Sequence, residues 1–200
     1  MTWTTPFTPT NNTTITSSSY NTNARDNLNF LHDNSWQLIS SQVLSVAAGS
    51  ISFSPAGNFK NLKLLVIARN DTADTYVCLT FNSDNGTNYD ALRIQQIFNG
   101  GGGSFASGAS YVSDSYIQIG VIGTISEGQS LIDIIISGWA DTDKHKSIIG
   151  EMSPYSYGST FLEHDLITGW WRNTAAITTI VIFPGANNFA IGSSFYLYGG

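Results

Sequence analysis

From Trp36 to Gly200, apolar residues recur with a period of two, in short runs closed by turn chemistry. This pattern limits the fold more than any other feature. Alternation sends neighbouring side chains to opposite faces of a strand, so each run reads as a half-buried strand. Leu62 to Arg69, Tyr76 to Phe81 and Tyr116 to Ile122 are the clearest. Trp36 to Ser40, Gln42 to Val46, Ser50 to Phe53, Ala91 to Phe98, Ser147 to Met152, Gly169 to Arg172, Ile177 to Phe183 and Ser193 to Tyr198 complete the expected set. Leu131 to Trp139 is almost continuously apolar, as expected of a strand covered on both faces. Turn residues separate the runs: Ser54-Pro55-Ala56-Gly57-Asn58, Asn70 to Asp74, Asn82 to Tyr89 with Asn85-Gly86, and Gly128-Gln129. Gly100 to Gly103 break any element. The wide gap from Phe98 to Tyr116 implies a long connection of the jelly-roll or Greek-key kind. No amphipathic helices alternate with the strands, which argues against a parallel α/β sheet. The expected fold is all-β, a β-sandwich or barrel over residues 36–200.

Residues 1–35 are different. Residues 1–23 are mostly Thr, Ser and Asn, with Trp3, Pro6, Phe7, Ile15 and Tyr20 spaced along them. Such a segment has too little apolar surface to fold alone. Its sparse aromatics suit an extended arm anchored on a partner. Ala24 to Leu31 reads as one short helix, with Tyr20, Ala24, Leu28 and Leu31 in one stripe and Asp26 in its first turn. Two turns need a docking surface to be stable.

Composition narrows the function. Of 200 residues, 11% are charged, and 8 Lys and Arg stand against 14 Asp and Glu. Electrostatic binding of nucleic acid is not expected from that balance. Nor is a membrane-spanning helix, since no apolar run nears the required length. Ser, Thr, Asn and Gly, at 25, 20, 17 and 19 residues, replace the missing charge. The N-terminus carries no signal-peptide pattern, so assembly in a cytoplasm is expected. Cys78, in an apolar strand context without a second thiol, is expected to be a small core residue.

The chain shows little catalytic equipment. His32, His145 and His164 lack zinc-ligand spacing and are expected in exposed loops. No Gly-x-Ser-x-Gly elbow marks a nucleophile. Asp133 shares a face with Leu131 and Ile135, where a hydroxyl, a backbone group or an interface is expected to satisfy it. Asp84 to Asp90 carries alternating oxygen ligands around Gly86 but lacks the closing glutamate of a calcium loop, so a hairpin turn is the first expectation. Trp170 and Trp171 must face opposite sides of a strand, one inward and one outward. No catalytic residue, cofactor or metal is expected, and the chain is expected not to be an enzyme.

Thr16-Ser17-Ser18-Ser19-Tyr20-Asn21 with Arg25-Asp26-Asn27-Leu28 is similar to a segment near the start of many tailed-bacteriophage minor structural (virion) proteins. Ile51 to Ser54, Leu62 to Arg69, Phe81 to Tyr89, Ile132 to Ile134, His145 to Ser147 and Ala176 to Gly199 resemble them in the same order. The resemblance narrows the fold to a jelly-roll-like antiparallel β-sandwich and implies a virion component, usually a homo-oligomer at the particle surface. The absence of fibre-shaft repeats favours a capsid decoration (cement) protein. It would bind the major capsid protein or other virion proteins as a homotrimer. The alternative is a tail-associated fibre or adhesin protein binding host surface glycan through Trp139, Trp170 or Tyr155. Expected partner-binding residues are Trp3, Pro6, Phe7, Ile15, Tyr20, Arg25, Leu28, Trp170 and Trp171.

Overall fold

The computed structural model describes residues 16–21, 25, 27–28, 35–99, 104–124, 128–154 and 161–200. The chain divides into two compact units, residues 1–37 with Gly200 and residues 38–199. In the first, Ser17–Tyr20 forms the short helix α1, and the Tyr20 N–H donates to Thr16 O at 3.0 Å. Thr16, just before the helix, is of the hydroxyl type favoured at that position. The segment expected to be an extended arm is therefore helical at Ser17–Tyr20. Of the expected helix 24–31, Arg25, Asn27 and Leu28 lie among the described residues, and all three are helical. Tyr20 and Leu28 are exposed. Trp3, Pro6, Phe7 and Ile15 lie outside the described residues.

The second unit is all-β. Its strands are β1 (Gln37–Val43), β2 (Ile51–Phe53), β3 (Asn61–Ala68), β4 (Thr75–Phe81), β5 (Tyr89–Asn99) and β6 (Ser104–Asp114). They continue with β7 (Ile117–Ile122), β8 (Ser130–Ser137), β9 (Lys146–Ser153), β10 (Phe161–Trp171), β11 (Ile180–Pro184) and β12 (Ser194–Gly199). Eight form one sheet in the order β1-β12-β3-β8-β9-β10-β5-β6, and four form the other in the order β2-β11-β4-β7. Every neighbouring pair whose register is resolved is antiparallel. The chain crosses between sheets at every step except within β5–β6 and β8–β9–β10. β2-β11-β4-β7 facing β3-β8 and β5-β6 is the eight-strand jelly-roll arrangement. The β9–β10 hairpin widens the larger sheet in its middle, and β1 and β12 extend one edge.

Alternation fills the space between the sheets. Leu62, Leu64 and Val66 of β3 and Ile132, Ile134 and Ile136 of β8 face Val77, Leu79, Ile119, Ile180 and Ile182 of the smaller sheet, all fully buried. Each such side chain contributes about 1.5–3 kcal/mol of burial. The sheets approach closely at Gly120. A Cβ there would sit 2.5 Å from Ile132 Cδ1 and 2.8 Å from Met152 Sδ.

The structure corrects several expectations. Two expected strands, Trp36 to Ser40 and Gln42 to Val46, are one strand, β1. The expected long connection after Phe98 contains β6, an edge strand paired to β5 along its length. Its small residues, Ala109 and Ser110 among them, give no apolar period; pairing alone defines it. β10 begins well before Gly169, so His164 lies in a strand rather than a loop. β11 begins at Ile180, three residues later than expected. β8 is covered on one face only: Leu131 is 44% exposed, while Ile132, Ile134 and Ile136 are buried. Its continuous apolar run therefore puts apolar side chains on the outer face as well.

Candidate functional site

Register turns that alternation into rows on the outer face of the larger sheet. One row runs Lys63–Ile135–Ile149–Thr168–Leu92, across β3, β8, β9, β10 and β5. The next runs Leu65–Asp133–Glu151–Leu166–Ile94. Leu92, Ile94, Ile149 and Leu166 are exposed, Ile149 at 62%. Together they form an apolar field in mid-sheet. A groove of about 290 Å³ runs through it, lined by Lys63, Asp133, Ile135, Ile149, Gly150, Glu151 and Leu166. Asp133 and Glu151 stand directly opposite, which repels. Lys63 Nζ, 2.6 Å from Asp133 Oδ2, offsets that repulsion, and His164 Nε2 lies 3.4 Å from Glu151 Oε2. The partner that Asp133 lacked in the sequence is thus a lysine on the neighbouring strand.

A third row, Ser147–Trp170–Asp90, lies at one end of the same face. His145 precedes Ser147 by two residues and Arg172 follows Trp170 by two. With Trp170, Asp90 and Ser147 they line an open depression of about 370 Å³. Trp170 is 52% exposed. Arg172 Nε lies 3.1 Å from Asp90 Oδ2, and its Nη2 donates to Thr87 O at 2.6 Å and Ser113 Oγ at 3.0 Å. The Ser113 N–H donates to Asp90 Oδ1 at 2.8 Å. Ser113 sits in a bulge of β6, with φ of 57°.

Trp171 goes the other way, as alternation requires. It is fully buried among Phe81 and Tyr89, with ring centroids 5.4 and 6.4 Å away. Its Nε1 donates to Asp84 Oδ2 at 2.7 Å. Trp171 is therefore a core residue and is removed from the partner-binding set. Trp139 is removed for the same reason: it is buried, and its Nε1 donates to Phe59 O at 3.0 Å. Tyr155 lies outside the described residues.

The Asp84 carboxylate also accepts from Asn88 Nδ2 at 2.9 Å and Gly86 N at 2.9 Å. Burial pushes its pKa up, but the bonds from Trp171, Gly86 and Asn88 outweigh that and hold it below the usual 3.8. Its oxygens serve the hairpin. The positive-φ residues here are Asn82 and Ser83, ahead of the expected Asn85-Gly86. Among the described residues, no three His, Cys, Asp or Glu side chains group to hold a metal ion.

Two buried ionic arrangements gave no signal in the sequence. Arg93 Nε and Asp165 Oδ2 pair inside the sandwich from β5 and β10. Lys146, in a charged turn by sequence, is fully buried. Its Nζ donates to Asp141 O at 2.7 Å, Lys144 O at 2.7 Å and Thr174 O at 3.1 Å. Burial lowers its pKa from the ordinary 10.5, against the opposing charges of Asp141 and Asp143. Cys78 is buried, and burial pushes its thiol up to about 12.

No protein-family model matches the chain, and no curated protein matches it in sequence. Among solved structures, it is similar over 83% of its length to a fructofuranosidase from Schwanniomyces occidentalis complexed with fructosylnystose, at 8% identity and a TM-score of 0.22. It spans 34% of that chain. A structure of infectious bursal disease virus, Gx strain, is similar over 83% of this chain and 41% of its own, at 12% identity and a TM-score of 0.11. Overlaps this small carry no argument about function.

Proposed function

We propose that the chain is a non-enzymatic structural protein of a bacteriophage virion, a capsid decoration (cement) protein acting as a homotrimer at the particle surface. The observation that carries the reading is the apolar field on the outer sheet face. Exposed apolar patches rimmed by polar groups mark protein contacts. The occupant proposed for this field is a second copy of the chain. The chain carries a net charge of −6, so copies repel unless their contact is locally neutral. Here Lys63 neutralises Asp133, and His164 faces Glu151. A closed ring of three such contacts acts as one attachment. The arm residues 1–35, with Arg25 and Leu28, are assigned to the major capsid protein or another virion protein. Neither nucleic acid nor a membrane has a place in this reading.

Quantifying the chain in purified particles tests it. Hundreds of copies per particle are expected of a head protein. A few to tens would instead support the second reading, a tail-associated fibre or adhesin binding host surface glycan. Trp170, exposed beside fixed polar groups, favours that second reading.

A further inference from the structure

We infer that the Trp170 depression is a saccharide-binding site that takes one neutral pyranose ring. The inference deepens the adhesin reading by naming its ligand class and site. It does not depend on where the protein sits in a particle.

Three strands build the site in register. β9 supplies Ser147, β10 supplies Trp170 and β5 supplies Asp90, on one row of one face. Strand positions hold side chains more firmly than loop positions do. The depression, about 370 Å³, falls within the roughly 300–1,000 Å³ of small-ligand sites.

The chemistry matches a sugar better than an apolar ligand. A pyranose has an apolar C–H face and a rim of hydroxyls, each both donor and acceptor. An exposed indole offers a flat apolar surface for the C–H face. The rim then meets a carboxylate acceptor and a guanidinium donor side by side. Both are fixed before any ligand arrives. Arg172 is held by Thr87 O, Ser113 Oγ and Asp90, and Asp90 by the Ser113 N–H. Such preorganisation lowers the entropic cost of binding. The β6 bulge at Ser113 completes the hold, and bulges are enriched beside functional sites. Asp90 and Arg172 neutralise each other, so the guanidinium is not a free cation that would select an anionic sugar.

The test uses the full chain and saturation-transfer NMR with methyl glycosides of glucose, galactose, mannose and N-acetylglucosamine. Saturation transfer to the ring protons of at least one glycoside is expected. Trp170→Ala should weaken that binding by about tenfold or more, and Trp170→Phe by less. Trp170 is half exposed, so both variants should keep the wild-type melting curve. No transfer to any of the four, or equal transfer with Trp170→Ala, overturns the site. Stronger transfer to methyl glucuronide overturns the neutral-ring assignment. The adhesin reading fails separately. If the same glycoside binds the protein but does not compete with particle adsorption to host cells, that reading falls and the site stands.

Discussion

Replacing Lys146 by Met tests how the loop before β9 and the loop after β10 are held together. The ammonium has three donors, and all three are used on main-chain carbonyls of Asp141, Lys144 and Thr174. Methionine matches the aliphatic stem, so little cavity forms. The loss is then mostly electrostatic. Each carbonyl left without a donor costs about 1–3 kcal/mol. Removing a buried charge returns part of that. A net loss of about 3 kcal/mol is expected, or a fall in melting temperature of about 6–12 °C for a domain of this size. Lys146→Arg should also destabilise, because a planar fork does not reproduce three converging bonds. The pH dependence gives a second readout. The folded state releases the Lys146 proton below 10.5, before the unfolded chain does. Between those two values the unfolded state holds more protons, so stability at this site rises with pH. The wild-type advantage over Lys146→Met should therefore grow as pH approaches 10.5. Urea denaturation at stepped pH measures both. A Lys146→Met protein as stable as wild type, or an advantage that shrinks with rising pH, would show that the Lys146 ammonium does not hold these loops in this way.

Three further outcomes follow from the packing. Cys78 and Tyr89 are both pushed up to about 12, chiefly by burial. Their contribution is whole below the ordinary 9.0 and 10.0 and is lost as pH rises towards 12, so Cys78→Ala should flatten part of the alkaline fall seen by fluorescence melting. Gly120→Ala should cost about 1–3 kcal/mol through contact with Ile132 and Met152, and Ile132→Val should restore part of it in the same denaturation assay. Asp165→Leu leaves Arg93 buried without its carboxylate and should cost about 3–5 kcal/mol, measured by urea unfolding.

Period-two alternation carried most of the sandwich. β3, β4, β7 and β12 lie within two residues of where their apolar residues put them, and Trp170 and Trp171 part as alternation demands. The misses share a cause: pairings that no local apolar period shows. β6 is rich in Ser, Ala and Gly and exists because β5 pairs with it. The charged run Glu163-His164-Asp165 looked like a loop, since nothing local shows that Arg93 receives Asp165. Lys146 looked solvated because its carbonyl acceptors come from three separate residues. The continuous apolar run of β8 fits two burials equally well. The larger sheet, open on its outer side, selects the one that leaves Leu131 exposed. The saccharide site was half legible: one exposed tryptophan was expected, but its polar neighbours meet only through β9–β10–β5 register.

The proposed trimer stands or falls with self-assembly through the apolar field on the outer sheet face. Light scattering of the purified chain beside an Ile149→Lys, Leu166→Lys double variant tests it most directly. Both side chains are largely exposed in the single chain, so the variant should stay folded, at a cost to the monomer of about 0.5 kcal/mol per site or less; any further fall in melting temperature reports the lost assembly. A trimeric mass is expected for the wild type and a monomeric mass for the variant at the same concentration. A monomeric wild type, or a trimer that survives both lysines, would contradict it.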